Sequence, residues 1–252
     1  MIYQLRIDPT IHARFPDYRA VVVYAAGIEN AASDQYSESV LGDAEESARA
    51  AFAELPLSEH QHIQAWRQAY QSFGAKPKRF PCGVEALLKR AVSGQAIHRI
   101  NRVVDIYNAV SLKWVIPCGG EDWDRLQSDL VLYPAKGVEH FVTLTGEGER
   151  TDFPAPGEVV WADQAGVTVR RWNWRQCSRT LVTEETRNAY FVLDRLAPFP
   201  VEDLLRAGAE LISHLRLISP GCRLSSVLLS GERESASSRP PASDDRARRW
   251  EE

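Results

Sequence analysis

The sequence predicts an α+β fold with helices packed on one side of a mostly antiparallel sheet. Residues 129–194 contain short runs of apolar and β-branched residues, separated by turn-forming residues such as those at 153–158. The regions on either side instead carry apolar residues at helical spacing. Residues 231–252 contain one aromatic residue and dense mixed charge, so we expect a disordered C-terminal tail.

The N-terminal region predicts strands followed by two helices. Residues 19–28 are apolar and β-branched enough for a buried strand. Residues 43–55 are rich in alanine and glutamate and lack proline and glycine, which favours a helix. Ser58 is a candidate N-cap for a second helix, which we expect to continue through Gln71.

Further helices are predicted in the middle and near the end of the chain. Residues 84–92 form an amphipathic pattern, and Asn101 is placed to cap a helix that reaches Trp114. Residues 201–217 repeat this pattern after the predicted strands. We therefore expect one globular domain over residues 1–230.

Composition excludes several classes of protein. The chain has 252 residues, of which 44% are hydrophobic and 25% charged, as is common for globular proteins. It has no long apolar run and no signal-peptide pattern at the N-terminus, which predicts a cytoplasmic protein without a membrane span. The four cysteines are widely spaced and are predicted to be reduced. His60 and His62 would face apart on a helix, and no phosphate-binding or dinucleotide-binding loop occurs, so neither a metal nor a cofactor is predicted.

The net charge of -4 averages two segments of opposite charge. Residues 29–59 contain eight acidic residues and one basic residue, whereas residues 76–102 contain seven basic residues and one acidic residue. Because a local field can attract a polyanion whatever the total charge, the second segment is a candidate surface for nucleic acid. A solvated helix face is the alternative interpretation.

The helix capped by Asn101 carries a polar stripe. Asn101, Asp105, Asn108 and Ser111 recur at a spacing that places them on one face, opposite the apolar residues. Asparagine amides both donate and accept hydrogen bonds, so this face could recognise a ligand. A solvated helix face is the alternative interpretation.

A glycine-rich segment, predicted to be a loop, follows that helix. Gly119 and Gly120 would let backbone N–H groups approach a ligand closely, and Glu121 and Asp122 supply carboxylates. A simple helix stop is the alternative interpretation.

An arginine- and tryptophan-rich segment at 170–175 is predicted to be a strand. Alternation would then place Arg171, Asn173 and Arg175 on one side, with Trp172 and Trp174 on the other. The polar side could hold a phosphate or a carboxylate, or form a surface with cross-strand ion pairs.

Three stretches together resemble a known family. KPKRFPCGVEALLKR, VVDIYNAVSLKWVIPCGGED and GVTVRRWNWRQCSRT are similar to the editing (B3/B4) domain of the phenylalanyl-tRNA synthetase β subunit, and more so to free-standing bacterial B3/B4 proteins. The resemblance covers roughly residues 75–198. It divides the expected domain into an N-terminal extension at 1–74, a family core at 75–198 and a C-terminal helix region at 199–230.

The resemblance implies a trans-acting aminoacyl-tRNA deacylase that hydrolyses the ester of mischarged tRNA and binds its acceptor end. Asn108 matches an asparagine of the family that lines the amino-acid pocket. A histidine of the synthetase form would fall at Gly119, and its pocket glutamate near Arg175, so both are replaced in this chain. These departures indicate a different amino-acid preference.

Sixteen residues are candidates for the site. The expected catalytic residues are Asn108, Gly119, Gly120, Glu121 and Asp122, where the backbone N–H groups of the two glycines would stabilise an oxyanion. The expected substrate-binding residues are Asn101, Asp105, Arg171, Asn173 and Arg175. The expected tRNA-binding residues are Lys76, Lys78, Arg79, Lys89, Arg90 and Arg102. Two alternatives remain open: a non-catalytic RNA-binding or tRNA-binding module, and a small-molecule binding or hydrolytic protein that uses the same pocket.

Overall fold

The computed structural model describes residues 3–230, so the predicted tail at 231–252 lies outside the described residues. The α-helices are α1 (Pro9–Arg14), α2 (Gln35–Ala51), α3 (Gln61–Ser72), α4 (Gly83–Val92), α5 (Arg102–Trp114) and α6 (Val201–Ile218). The strands are β1 (Leu5–Ile7), β2 (Arg19–Ala26), β3 (Cys118–Asp122), β4 (Leu130–Pro134), β5 (Phe141–Thr145), β6 (Gly148–Asp152), β7 (Val159–Asp163), β8 (Gly166–Arg170), β9 (Arg175–Gln176), β10 (Asn188–Arg195) and β11 (Arg223–Leu229).

A four-stranded antiparallel sheet with the order β11-β2-β10-β3 forms the centre of the fold. Alternate residues of β2 enter two different clusters of buried side chains. Val21 and Val23 pack with α5 and α6, whereas Val22 and Tyr24 face the other way. The contact with α6 is close, because a Cβ atom at Gly208 would lie 2.8 Å from Cγ1 of Val21. This sheet therefore carries α5 and α6 on one face.

A five-stranded sheet with the order β1-β4-β7-β8-β9 contributes to the same core. Its pairs are antiparallel except for β1 with β4, which is parallel. Leu132 and Trp161 of this sheet share a buried cluster with Tyr190 of β10. The hairpin β5–β6 pairs within itself. The predicted α+β class, with mostly antiparallel strands, is confirmed, although the strands form three sheets rather than one.

Several boundaries differ from the sequence-based prediction. Helix α2 begins at Gln35 because Asp34 caps it, and Asp34 and Ser37 form reciprocal side-chain bonds to backbone. Helix α3 begins at Gln61 with His60 at the N-cap, because a short 3-10 helix occupies Leu57–Glu59. Residues 179–183 lie within the segment 129–194 that predicts strands, yet they contain no strand residue.

Candidate active site

A cavity of about 300 Å³ opens at the edge strand β3, beside α4, α5 and the turn at 171–174. That volume is at the lower end of the range for small-molecule sites. Its lining residues are Gly83, Ala86, Leu87, Arg90, Tyr107, Asn108, Pro117, Cys118, Gly119, Gly120, Glu121, Trp161, Val169, Trp172, Asn173, Trp174, Arg175, Gln176, Tyr190, Val192 and Asp194. Seven of the sequence-predicted site residues are among them.

The glycine-rich segment is a strand rather than a loop, and its pairing decides which N–H groups are available. Gly119 lies opposite Val192 in the ladder with β10, where its backbone groups face that strand. One residue on, the Gly120 carbonyl faces the other way and accepts a hydrogen bond from Nε2 of Gln176 at 3.0 Å. Asp122 has the same orientation, since its N–H donates to the Thr180 carbonyl at 2.9 Å. The Gly120 N–H therefore points away from β10, and it is the better placed of the two glycine donors.

Position 120 also requires glycine for steric reasons. A Cβ atom there would lie 2.5 Å from Cδ1 of Phe191 and 3.3 Å from Cε1 of Tyr107. At Gly119 a Cβ atom would meet open space. The two glycines therefore have different roles, although they are adjacent in the sequence.

Asn108 presents a side-chain amide to the cavity. Helix α5 holds it there, and that helix begins where Oδ1 of Asn101 accepts the Val104 N–H at 3.0 Å. Asn108 is 9% exposed, and its side-chain amide makes no hydrogen bond within residues 3–230. An amide with no protein partner beside a cavity can both donate hydrogen bonds to a ligand and accept them from it.

The rest of the polar stripe on α5 is buried against the protein and does not line the cavity. Asn101 caps the helix and donates to the Val182 carbonyl at 3.1 Å. Asp105 accepts hydrogen bonds from Oγ of Ser37 at 3.1 Å and from the Ile100 N–H at 3.0 Å. The Asp105 contacts join α2 to the start of α5, whereas the Asn101 contacts join the start of α5 to the segment at Val182.

Glu121 and Asp122 point in opposite directions, as neighbours in a strand do. Glu121 lines the cavity and is 4% exposed. Its carboxylate accepts the hydroxyl of Thr168 at 3.1 Å and the hydroxyl of Thr180. Burial raises the pKa of Glu121. Asp122 does not line the cavity, because its carboxylate accepts the Asp124 N–H at 2.9 Å and the Thr186 hydroxyl at 2.7 Å.

Asp194 is a second buried carboxylate in the cavity, and the sequence analysis missed it. It lies in β10 and is 3% exposed. Oδ1 accepts the Tyr18 hydroxyl at 2.7 Å, and Oδ2 accepts Nδ2 of Asn173 at 3.1 Å. Burial raises the pKa of Asp194 to about 6, against the opposing effect of these two hydrogen bonds. The available signal was a single acidic residue within an otherwise apolar buried strand.

The segment at 170–175 turns instead of continuing as a strand. Arg171 and Trp172 have positive φ angles of 48° and 67°, which end β8 and reverse the chain. Trp172 is fully buried in the core. Asn173 is held between Asp194 and Tyr70, whose hydroxyl donates to Oδ1 of Asn173 at 2.8 Å. Asn173 and Arg175 therefore line the cavity, whereas Arg171 does not.

The charges in the cavity are separated by depth. Glu121 and Asp194 are buried, whereas Arg90 is half-buried and Arg175 is exposed. The carboxylates therefore occupy the inner part of the cavity and the arginines its rim. This arrangement is complementary to a ligand with a cationic group at one end and an anionic group at the other.

The expected tRNA-binding residues differ in what they contact. Lys89 forms an ion pair with Glu85 at 2.7 Å. Arg102 lies 3.5 Å from Asp34, and Arg99 lies 2.9 Å from Glu45, so both pair with the acidic segment. Lys76, Lys78 and Arg79 are exposed after α3, and Arg90 lines the cavity.

Two features are absent from the part of the chain that the structure describes. No helix in residues 3–230 is long and apolar enough to cross a membrane. The same residues contain no cluster of three or more histidine, cysteine, aspartate or glutamate side chains that could hold a metal ion.

Comparison with known proteins identifies the family. The B3/4 domain model matches residues 65–206. A solved N-terminal fragment of the phenylalanyl-tRNA synthetase β subunit from Pyrococcus horikoshii is similar, with 14% sequence identity and a TM-score of 0.44. The match covers 89% of this chain and 52% of that one, so the chain spans about half the length of the fragment. No curated protein matches the chain. Since the family model covers more than half of its residues, the chain belongs to the B3/4 domain family.

Proposed function

We propose that the chain hydrolyses the ester bond of mischarged aminoacyl-tRNA, acting as a trans-acting deacylase. The observation that carries the proposal is the cavity with Glu121 and Asp194 inside and Arg90 and Arg175 at the rim. Membership of the B3/4 domain family supports the proposal, together with the sequence resemblance to editing domains.

The end of an aminoacyl-tRNA has the charge distribution that this cavity would accept. The amino acid carries an α-ammonium group, and the nucleotide that bears it carries a phosphate on the other side of the ester. An ammonium near Glu121 would partly offset the cost of burying its carboxylate, which leaves Asp194 for a different role. The phosphate would then lie towards Arg175, whose planar guanidinium suits a phosphate group.

The proposed reaction is addition of water to the ester carbonyl. Asp194 accepts a proton from the attacking water, and a carboxylate with a pKa of about 6 is a stronger base than an ordinary aspartate. The Gly120 N–H and the Asn108 amide donate hydrogen bonds to the oxyanion that forms on the carbonyl oxygen. The bond from the carbonyl carbon to the ribose oxygen then breaks. The proton passes to that oxygen, which leaves free amino acid and free tRNA.

The test is a set of tRNAs mischarged with radiolabelled small, polar and aromatic amino acids. The measurement is the rate at which acid-precipitable label is lost in the presence of the purified protein. We expect loss for a subset of amino acids, and a much slower loss with Asn108→Ala. The matched control is Lys113→Gln, an exposed substitution on the same helix away from the cavity.

Two outcomes would contradict the proposal. Tight binding of tRNA without loss of label would instead support a non-catalytic RNA-binding module. Binding of free amino acids or small esters, without salt-sensitive binding of tRNA, would support a small-molecule protein.

A further inference from the structure

A second concave surface adjoins the cavity and is lined by five arginines. We call it the arginine groove. It has a volume of about 470 Å³ and is lined by Arg79, Phe80, Phe141, Thr143, Thr145, Arg150, Asp152, Arg170, Arg171, Trp174 and Arg175. Trp174 and Arg175 line the cavity as well, so the two spaces share a wall.

Two of the five arginines form contacts within the protein. Arg170 forms paired hydrogen bonds with Glu158 at 2.8 and 2.9 Å and a further one with Asp152 at 2.9 Å. The guanidinium of Arg171 lies 3.7 Å from the Phe80 ring centroid and 3.5 Å from the Glu158 carboxylate. The charges of Arg170 and Arg171 are therefore largely balanced by Glu158 and Asp152.

The other three arginines give the groove its charge. Arg79, Arg150 and Arg175 are exposed, and none of them forms an ion pair within residues 3–230. They come from the turn before α4, from β6 and from β9, so the fold brings them together from distant parts of the sequence. Three guanidinium groups without an ion pair around one concavity favour an anionic ligand with more than one charged group.

Aromatic rings lie among these charges. Phe80 and Trp174 meet edge to face with ring centroids 4.9 Å apart, and both are half-buried. Proteins that bind single-stranded nucleic acid combine arginines along the backbone with aromatic rings against which bases stack. A double-stranded helix offers no unstacked base to such rings. The combination therefore favours a single strand over a duplex.

We propose that the arginine groove binds the phosphodiester backbone of a single-stranded RNA end whose terminal nucleotide reaches the cavity. The inference deepens the proposed function, and rests on it for the placement of the ester. The shared wall at Trp174 and Arg175 allows one strand to follow both surfaces. This proposal places the RNA contact on the arginine groove and not on the segment at 76–102. Of the basic residues in that segment, only Arg79 lines the groove.

The experiment measures binding of a fluorescently labelled four-nucleotide RNA that ends in CCA, by anisotropy, over a range of salt concentrations. The variants are Arg79→Gln, Arg150→Gln and Arg175→Gln, with Arg216→Gln on α6 as the matched exposed control. We expect each groove variant to weaken binding by about tenfold. We also expect each to reduce the slope of log affinity against log salt by about 0.7. The control should bind as the unchanged protein does, and equal melting temperatures establish that all variants are folded.

The outcomes separate this inference from the proposed function. Unchanged RNA affinity in all three groove variants would refute RNA binding by the arginine groove, even if the protein releases amino acids from tRNA. Equal affinity for a blunt RNA duplex would overturn the preference for a single strand. The groove variants could lose RNA binding while the unchanged protein hydrolyses no ester. That result would support RNA binding by the arginine groove and refute the proposed deacylase activity.

Discussion

The amide Nδ2 of Asn173 lies 3.1 Å from the Oδ2 atom of Asp194 and joins the turn after β8 to the end of β10. The other carboxylate oxygen accepts the Tyr18 hydroxyl at 2.7 Å. Asp194 is thus oriented from both sides. A base needs such fixed orientation if it is to be aimed at a bound water.

Substitution of Asp194 should change how activity depends on pH. Burial raises the pKa of this carboxyl to about 6, so kcat/KM should rise with pH through about 6 and level off above it. In Asp194→Asn we expect the rise to disappear and kcat to fall about 100-fold or more. Deacylation measured from pH 4.5 to 8 tests this, with Asp203→Asn on α6 as control. A retained rise in the variant would exclude Asp194 as the base.

The same substitution should affect stability in a predictable direction. The folded-state pKa of Asp194 lies above its ordinary value, so burial of its charge adds no penalty at pH values where the carboxyl stays protonated in both states. The free energy of unfolding then falls as pH rises from the ordinary pKa through about 6. The side-chain amide introduced by Asp194→Asn carries no charge at any pH. We expect the free energy of unfolding of the variant, relative to the unchanged protein, to improve by about 2 kcal/mol between pH 4 and pH 7. Urea unfolding at the two pH values measures this difference.

The asparagine that caps α5 and the asparagine within the helix should respond in opposite ways to alanine. Asn108→Ala should lower kcat about 100-fold with little change in stability, because its amide has no partner in the described protein. Asn101→Ala should lower the free energy of unfolding by about 1–3 kcal/mol, because it removes an N-cap and buried hydrogen bonds. The folded Asn101 variant should retain its deacylation rate. The reverse pattern would move the site to the start of the helix.

The adjacent glycines of β3 provide a second contrast. Gly120→Ala would place a Cβ atom 2.5 Å from Phe191, so we expect a loss of about 1–3 kcal/mol of stability. Gly119→Ala meets open space and should change stability by less than about 0.5 kcal/mol. Urea unfolding at pH 7 compares the two. Equal losses would show that the strand itself, and not the contact with Phe191, excludes a side chain.

His62 should make the protein sensitive to acid. Its Nδ1 lies 2.8 Å from the Val115 carbonyl and its Nε2 accepts the Trp66 indole N–H at 3.0 Å, so the neutral ring satisfies both partners. Burial lowers the pKa of His62 to about 4, so its contribution is complete above pH 6.5 and is lost as pH falls through 4. The loss is about 3 kcal/mol. In His62→Gln the fall in unfolding free energy from pH 7 to pH 4 should be correspondingly smaller, and an unchanged fall would assign acid sensitivity to other groups.

Local signals were sufficient to predict several elements. Asn101 does cap α5, and α4 and α6 occupy the predicted segments to within a residue. Each of these signals lies within a few turns of helix, where side-chain spacing and capping determine the conformation. Strand β2 was also predicted from a local signal, its run of apolar and β-branched residues.

The parts that were missed depend on distant residues. Nothing local in Gly119-Gly120-Glu121 indicates a strand, and β3 exists because β10 supplies its partner. The turn at Arg171 and Trp172 requires positive φ angles that their residue types disfavour, and the fully buried Trp172 ring holds it in place. The basic segment at 76–102 was considered without the acidic segment at 29–59, whereas Arg99 and Glu45 pair across the two segments.

The wall formed by Trp174 and Arg175 has a consequence for affinity and selectivity. If one RNA strand contacts both the groove and the cavity, the second contact forms at a high effective concentration once the first has formed. Each contact can then be weak by itself, and RNA ends that carry no amino acid can dissociate rapidly. A strand whose terminal group fits the cavity would stay bound longer than one whose terminal group does not. The adjacency of the two surfaces would thus convert a modest preference for an amino acid into a difference in residence time.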